Sequence, residues 1–149
     1  MSDERQPGVM NLAEVDAFLD REFAELRRTT PTLKVEEVGH AYARLRLGSD
    51  PQLLRPGGTV SGPAMFTLAD VAMYVAVLAS IGPVALAVTT NLNINFLRRP
   101  QPGDLIGEAS LLKLGKSLAV GEIHLRAPDS ADSVAHAVGT YALPPDHAR

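Results

Sequence analysis

Hydrophobic positions recur along the chain in different rhythms, and each rhythm predicts a different kind of element. From Asn11 to Arg28, Leu12, Val15, Phe18, Leu19, Phe23 and Leu26 fall at helical spacing and predict one amphipathic helix. Asn11 followed by Glu14 resembles a capping box, in which each side chain satisfies a backbone N–H that the first turn leaves unpaired. Thr29-Thr30-Pro31 closes the helix, because a residue before proline is pushed out of the helical region. Between Leu33 and Leu47 the period shortens to two. Ala41, Ala43, Leu45 and Leu47 alternate with Tyr42, Arg44 and Arg46, as in one or two strands with a wet face. Gly48 to Gly58, carrying Pro51, Pro56 and Gly57, reads as a loop.

Ser61 to Ser80 (SGPAMFTLADVAMYVAVLAS) is apolar almost all the way round and rich in alanine and methionine, which predicts a buried helix capped by Ser61 and closed by Gly82-Pro83. A membrane span is the rival reading. A central aspartate weighs against it, because a carboxylate in lipid is costly. Beyond the helix the chain reads as strands: Leu86–Leu97, in which Leu92, Ile94 and Phe96 alternate with Asn91, Asn93 and Asn95, then Leu105–Leu114, Ser117–Leu125 and Val134–Leu143. Gly115-Lys116 suits a hairpin connection. A run of strands without crossover helices favours an α+β fold, an antiparallel sheet wrapped around the long helix, with the N-terminal helix as an addition.

Composition narrows the picture without redirecting it. The 149 residues suit a single domain, 1–149, with 1–31 as a helical N-terminal extension. The net charge of −3 argues against a nucleic-acid partner, and the absence of cysteine removes disulfides, thiolate metal sites and cysteine nucleophiles. The charged N-terminus lacks the apolar core of a secretory signal, so a cytoplasmic location is expected.

Candidate chemistry centres on charge spacing. Between Arg55 and Arg98, Asp70 is the only formally charged residue, and it lies in the middle of the most hydrophobic helix. A carboxylate there must be hydrogen-bonded, paired, protonated or open to a cleft, since burying it bare costs several kcal/mol. It either faces solvent or a backbone group as a structural residue, or it works as a base. Thr67 and Tyr74 share its helix face and fit ordinary packing. About two turns earlier, Ser61 and Gly62 begin the helix, where free N–H groups can polarise a carbonyl oxygen. A carbonyl polariser and a carboxylate on one helix suit acyl chemistry.

Ser61–Tyr74 (SGPAMFTLADVAMY) resembles the histidine-glycine-glycine signature and central helix of hotdog-fold thioesterases of the phenylacetate-degradation (PaaI-like) type. Ala87–Pro100 (AVTTNLNINFLRRP) resembles the family's next strand, and Leu112–Ala119 (LKLGKSLA) its Gly-Lys turn. The resemblance implies a hotdog fold and acyl-CoA thioester hydrolysis. In that reading Asp70 activates water or attacks the thioester, the Gly62 N–H holds the thioester oxygen, and Thr89 helps to place the water from the partner subunit. It further implies a homodimer, often a dimer of dimers, with sites at the interface, and no cofactor apart from the coenzyme A carried by the substrate. Arg98, Arg99, Lys113, Lys116 and Ser117 match the CoA-facing region, where clustered cations can meet phosphates; taken alone, each cation reads first as a solvated surface charge.

The chain departs from the signature at three places. Ser61 replaces the histidine, Pro63 the second glycine, and Arg55 stands where relatives carry asparagine or glutamine. Proline early in a helix is tolerated. Arg55 could pair with Asp70 and blunt it, or point away. These departures motivate an alternative, a non-catalytic hotdog module that binds acyl-CoA or another hydrophobic ligand. An acyl-thioester dehydratase fits less well, because the histidine it needs is missing. His40, His124, His136 and His147 show no metal-ligand spacing along the chain, so no metal is expected.

Overall fold

The computed structural model describes residues 5–145. The capping box forms as the sequence predicts, Asn11 accepting from the Glu14 N–H and Glu14 from the Asn11 N–H, and it starts helix α1 (Leu12–Glu22). The helix expected to continue to Arg28 does not. It breaks at Phe23, whose backbone sits at φ −132°, ψ 48°, and a short α2 (Ala24–Thr29) follows. The apolar rhythm runs through the break because Leu26 still faces inward. Tertiary packing decides the matter: the Phe23 ring meets Tyr74 edge-on at 5.3 Å between centroids, while Arg27 reaches back across the kink to Asp16 at 2.8 Å.

The segment Leu33–Leu47 forms two strands, β1 (Leu33–Gly39) and β2 (Tyr42–Leu47), turning through His40 and Ala41, the latter at φ 60°. A short 3-10 turn at Pro51–Leu53 precedes α3 (Gly62–Ile81), and the rest is β3 (Val88–Phe96), β4 (Leu105–Leu114), β5 (Leu118–Arg126) and β6 (Ser133–Ala142). Every pairing is antiparallel, in the order β1-β2-β4-β5-β6-β3. The sheet curls around α3, whose Leu68, Met73, Val75, Val77 and Leu78 are fully buried against inward positions such as Leu45, Leu105, Ile123 and Leu125. Each such side chain contributes about 1.5–3 kcal/mol of apolar burial, which fixes the helix in the sheet's grip. This is the hotdog fold that the sequence resemblance implies.

The same embrace accounts for the apolar character of α3. The helix is long and apolar enough to cross a membrane, yet Val71 to Ser80 are all buried inside the fold. Gly82, at φ 106°, ends it in a conformation that a side chain would resist. One edge of the sheet is β3, whose outer rim is open and carries exposed apolar side chains at Val88 and Phe96, with Leu97 just beyond.

Candidate active site

Asp70 lies midway along α3, on the side where β3 and β6 meet it, and it is only partly buried. Thr89 on β3 and Tyr141 on β6 are direct cross-strand partners, and both point inward at its carboxylate. The Thr89 hydroxyl donates to Asp70 Oδ1 at 2.7 Å, and the Tyr141 hydroxyl donates to the same oxygen at 2.9 Å and to the Asp70 carbonyl at 3.2 Å. A register shift between Thr89 and Asn91 makes this possible. Strict alternation would put Thr89 on the outer face with Asn91, Asn93 and Asn95, and one extra residue re-aims it.

Burial, together with the nearby Asp70 charge, pushes the Tyr141 hydroxyl far above its ordinary range, so it stays protonated and remains a donor. With both donors on Oδ1, Asp70 Oδ2 takes no hydrogen bond from any described residue. Asp70 borders a cavity of about 410 Å³ lined by Phe23, Leu26, Val71, Tyr74, Ala87 and Val88 around the polar trio. Tyr74 donates to the Val84 carbonyl and stacks on Tyr141 at 5.8 Å, the packing role its helix position suggested. A carboxylate anchored through one oxygen beside an apolar chamber has the chemistry to accept a proton from water.

The start of α3 forms a second centre. Ser61 Oγ accepts from the Ala64 N–H at 3.2 Å, so serine caps the helix where the family signature has histidine. The Gly62 N–H has no partner among the described residues. Gly62 opens onto another cleft, of about 450 Å³, which also holds Arg55, Phe96, Arg98 and Arg99. Eight residues at 1.5 Å each separate Gly62 from Asp70 by about 12 Å along the helix axis, too far to serve one carbonyl within a chain. Arg55 is exposed beside Gly62 and, among the described residues, forms no ion pair with Asp70.

Of the other sequence-predicted residues, Thr89 was expected to act on a partner's site, and here it bonds Asp70 of its own chain. Arg98 and Arg99 join the Gly62 cleft, Arg98 lying 3.9 Å from Asp132. Lys113, Lys116 and Ser117 sit exposed around the β4–β5 turn, at the end of the sheet where Leu118, Ala142 and Val88 align, next to Thr89. Sequence reasoning missed Tyr141, although its inward position in the last strand follows from that strand's alternation. It did not single out Glu122, and it set His124 and His136 aside for want of metal-ligand spacing; the three side chains gather on the sheet's outer face. His147 lies outside the described residues.

Comparison with known proteins agrees with this fold. Residues 57–134 match the family model described as "Thioesterase superfamily". A candidate esterase from Halobacterium salinarum is 37% identical over 68% of this chain and 70% of its own length. The crystal structure of a candidate thioesterase from Silicibacter sp. TM1040 is 40% identical and superposes with a TM-score of 0.84 over 95% of this chain and 97% of that one. The E. coli PaaI protein from the phenylacetic acid degradation operon shares the fold at 22% identity, with a TM-score of 0.73 over 86% of this chain and 90% of its own.

Proposed function

Because this chain belongs to the thioesterase superfamily, whose members support thioester hydrolysis in general, we propose that it hydrolyses acyl-CoA thioesters at sites that two copies of the chain complete together. The observation that carries the chemistry is the Asp70 carboxylate, anchored through Oδ1 by Thr89 and Tyr141 at the wall of the apolar cavity.

The separation within α3 is what calls for a second copy. Thr89, beside Asp70, stands near the start of β3; Phe96, whose ring would lie 3.6 Å from a side chain added at Gly62, ends the strand. An exposed edge strand is a template for pairing with another chain. Antiparallel pairing of β3 with its copy sets Thr89 and Asp70 of one protomer against the partner's Phe96 and Gly62. The apolar rim, with Val88 55%, Phe96 52% and Leu97 56% exposed, would be covered by that pairing.

In the resulting site the acyl group occupies the Asp70 cavity and its carbonyl oxygen accepts from the partner's Gly62 N–H. Asp70 Oδ2 takes a proton from water as the water oxygen attacks the carbonyl carbon. The tetrahedral oxyanion is held at the helix N-terminus. The C–S bond then breaks, and the CoA sulfur leaves with the proton that Asp70 returns. Arg98 and Arg99 from one protomer, with Lys113, Lys116 and Ser117 from the other, flank the outlet where CoA phosphates emerge.

The test is hydrolysis of a panel of acyl-CoAs by the parent and by Asp70→Asn. Loss of a positioned general base predicts a fall of about 10²- to 10⁴-fold in kcat. Equal rates would remove Asp70 from the mechanism. Tight acyl-CoA binding by the parent without turnover would make the chain a binding module instead.

A further inference from the structure

On the face of the sheet turned away from α3, β5 and β6 place His124 and His136 directly opposite each other, with ring centroids 4.7 Å apart. Glu122, two residues before His124 and on the same face, completes a triangle with them. His136 Nε2 lies 3.1 Å from Glu122 Oε2, and His124 Nε2 lies 3.9 Å from Glu122 Oε1. One ligand atom from each residue falls within 4.8 Å of the others. From this geometry we propose that Glu122, His124 and His136 form a binding site for a divalent transition-metal ion, with Zn²⁺ as its best-fitting occupant.

Zinc–nitrogen and zinc–oxygen bonds of about 2.0–2.1 Å at tetrahedral angles place neighbouring ligand atoms about 3.3 Å apart. The two ring nitrogens lie 3.1 and 3.9 Å from the two different oxygens of the Glu122 carboxylate, close to that value, so side-chain rotation can bring one carboxylate oxygen and both nitrogens to three corners of a tetrahedron. The donor set of two imidazoles and one carboxylate selects zinc, copper or nickel over magnesium and calcium, which favour oxygen alone. His124 also has the support that such a ligand needs. His124 Nδ1 lies 3.1 Å from Ser133 Oγ, and in the metal-bound form Nδ1–H donates to that hydroxyl, fixing Nε2 as the lone-pair nitrogen.

The neighbouring charges do not compete. Glu108, opposite His124 on β4, is engaged by Arg126 at 3.0 Å and by the Tyr42 hydroxyl. Among the described residues, the ion-pair partners of Glu122 are the two histidines alone. The fourth position is left to water, as in sites with three protein ligands. The ion clips β5 to β6 on the sheet face opposite Asp70, apart from the proposed hydrolytic site. Spacing along the sequence hides the site, because His124 and His136 are joined only by strand pairing.

Titration of tag-free, chelator-treated protein with Zn²⁺ in a calorimeter, with thermal melts alongside, tests the proposal. One ion per chain is expected, with Tm raised by about 5–10 °C when zinc is in hundredfold excess over its Kd. His136→Asn and Glu122→Gln, both partly exposed, should each weaken binding at least tenfold, while His40→Asn leaves it unchanged. In the parent, zinc should shift the imidazole NMR signals of His124 and His136 together, a readout independent of any variant's folding. Substoichiometric binding, equal affinity in His136→Asn, or zinc-dependent shifts confined to other histidines would overturn it.

Discussion

If each site joins Asp70 of one protomer to the partner's Gly62, two inactive variants should repair one another. Asp70→Asn removes the base. Gly62→Pro removes the N–H that receives the oxyanion, yet proline is well tolerated at a first helical position, and a side-chain carbon there meets only the Phe96 ring at 3.6 and 4.0 Å. Losing one such donor costs about 10²–10³ in kcat, and losing the base about 10²–10⁴, so each homodimer should be almost silent. In a mixed dimer one site carries both lesions and the other carries neither. Random pairing at equal amounts makes half the dimers mixed, so co-expressed chains should show about one quarter of the parent's specific activity. The released CoA thiol can be followed with a thiol reagent free of protein background, since the chain has no cysteine. Activity in the mixture no greater than the mean of the two homodimers would refute the shared site, because about 12 Å of helix would then have to be bridged within one chain.

Tyr141→Phe removes one of the two donors on Asp70 Oδ1, and a hydrogen bond to a charged group is worth about 1.5–3 kcal/mol. A Tm lower by about 3–6 °C is expected from the lower end of that range, together with a drop in kcat that disappears in the Asp70→Asn background; unaltered kcat in Tyr141→Phe would show that the hydroxyl does not position the carboxylate. Acid should loosen the β1–β2 side of the sheet. The Glu36 carboxyl is held below its usual 4.5 mainly by Arg46, and the Asp104 carboxyl below 3.8 by the Ser49 N–H and Arg46. Both folded-state values are depressed, so this stability is fully present above the usual carboxyl range and is lost as pH falls through the folded values. The urea midpoint should therefore fall on acidification from about pH 6 to 3, and less steeply in Arg46→Gln, which removes the shared cation; parallel curves would contradict the assignment.

The elements with strong periodicity were legible in the sequence because one physical cause shaped each of them. Alternation in β2 and β6 follows from one buried face, and the apolar α3 follows from being covered by the sheet on most sides. Asp70 stood out because a lone carboxylate on such a helix demands partners. What the sequence concealed depended on tertiary contacts. The break at Phe23 answers to Tyr74, about fifty residues away along the chain, and not to any local breaker. Thr89 turns inward only through an irregularity in β3, and the pairing of His124 with His136 exists only once β5 and β6 are in register. Both partners of Asp70 reach it from strands that follow α3 in the chain, and Tyr141 lies 71 residues away, beyond any local pattern.

Arg55 bears on how the altered signature can still work. Read along the chain, a cation in the loop before α3 threatens to neutralise Asp70 and abolish its basicity. In the fold it stands with Gly62, Arg98 and Arg99, while Asp70 is held by two neutral hydroxyls. Hydroxyl donors orient the Asp70 carboxylate without pairing it to a cation. In the proposed dimer, Arg55 arrives at each site from the same side as the Gly62 N–H, where negative charge develops on the thioester oxygen and where CoA phosphates lie. The substitution then adds positive potential to the half of the site that receives anions. Ser61, as an N-cap, preserves the helix start on which the same half depends.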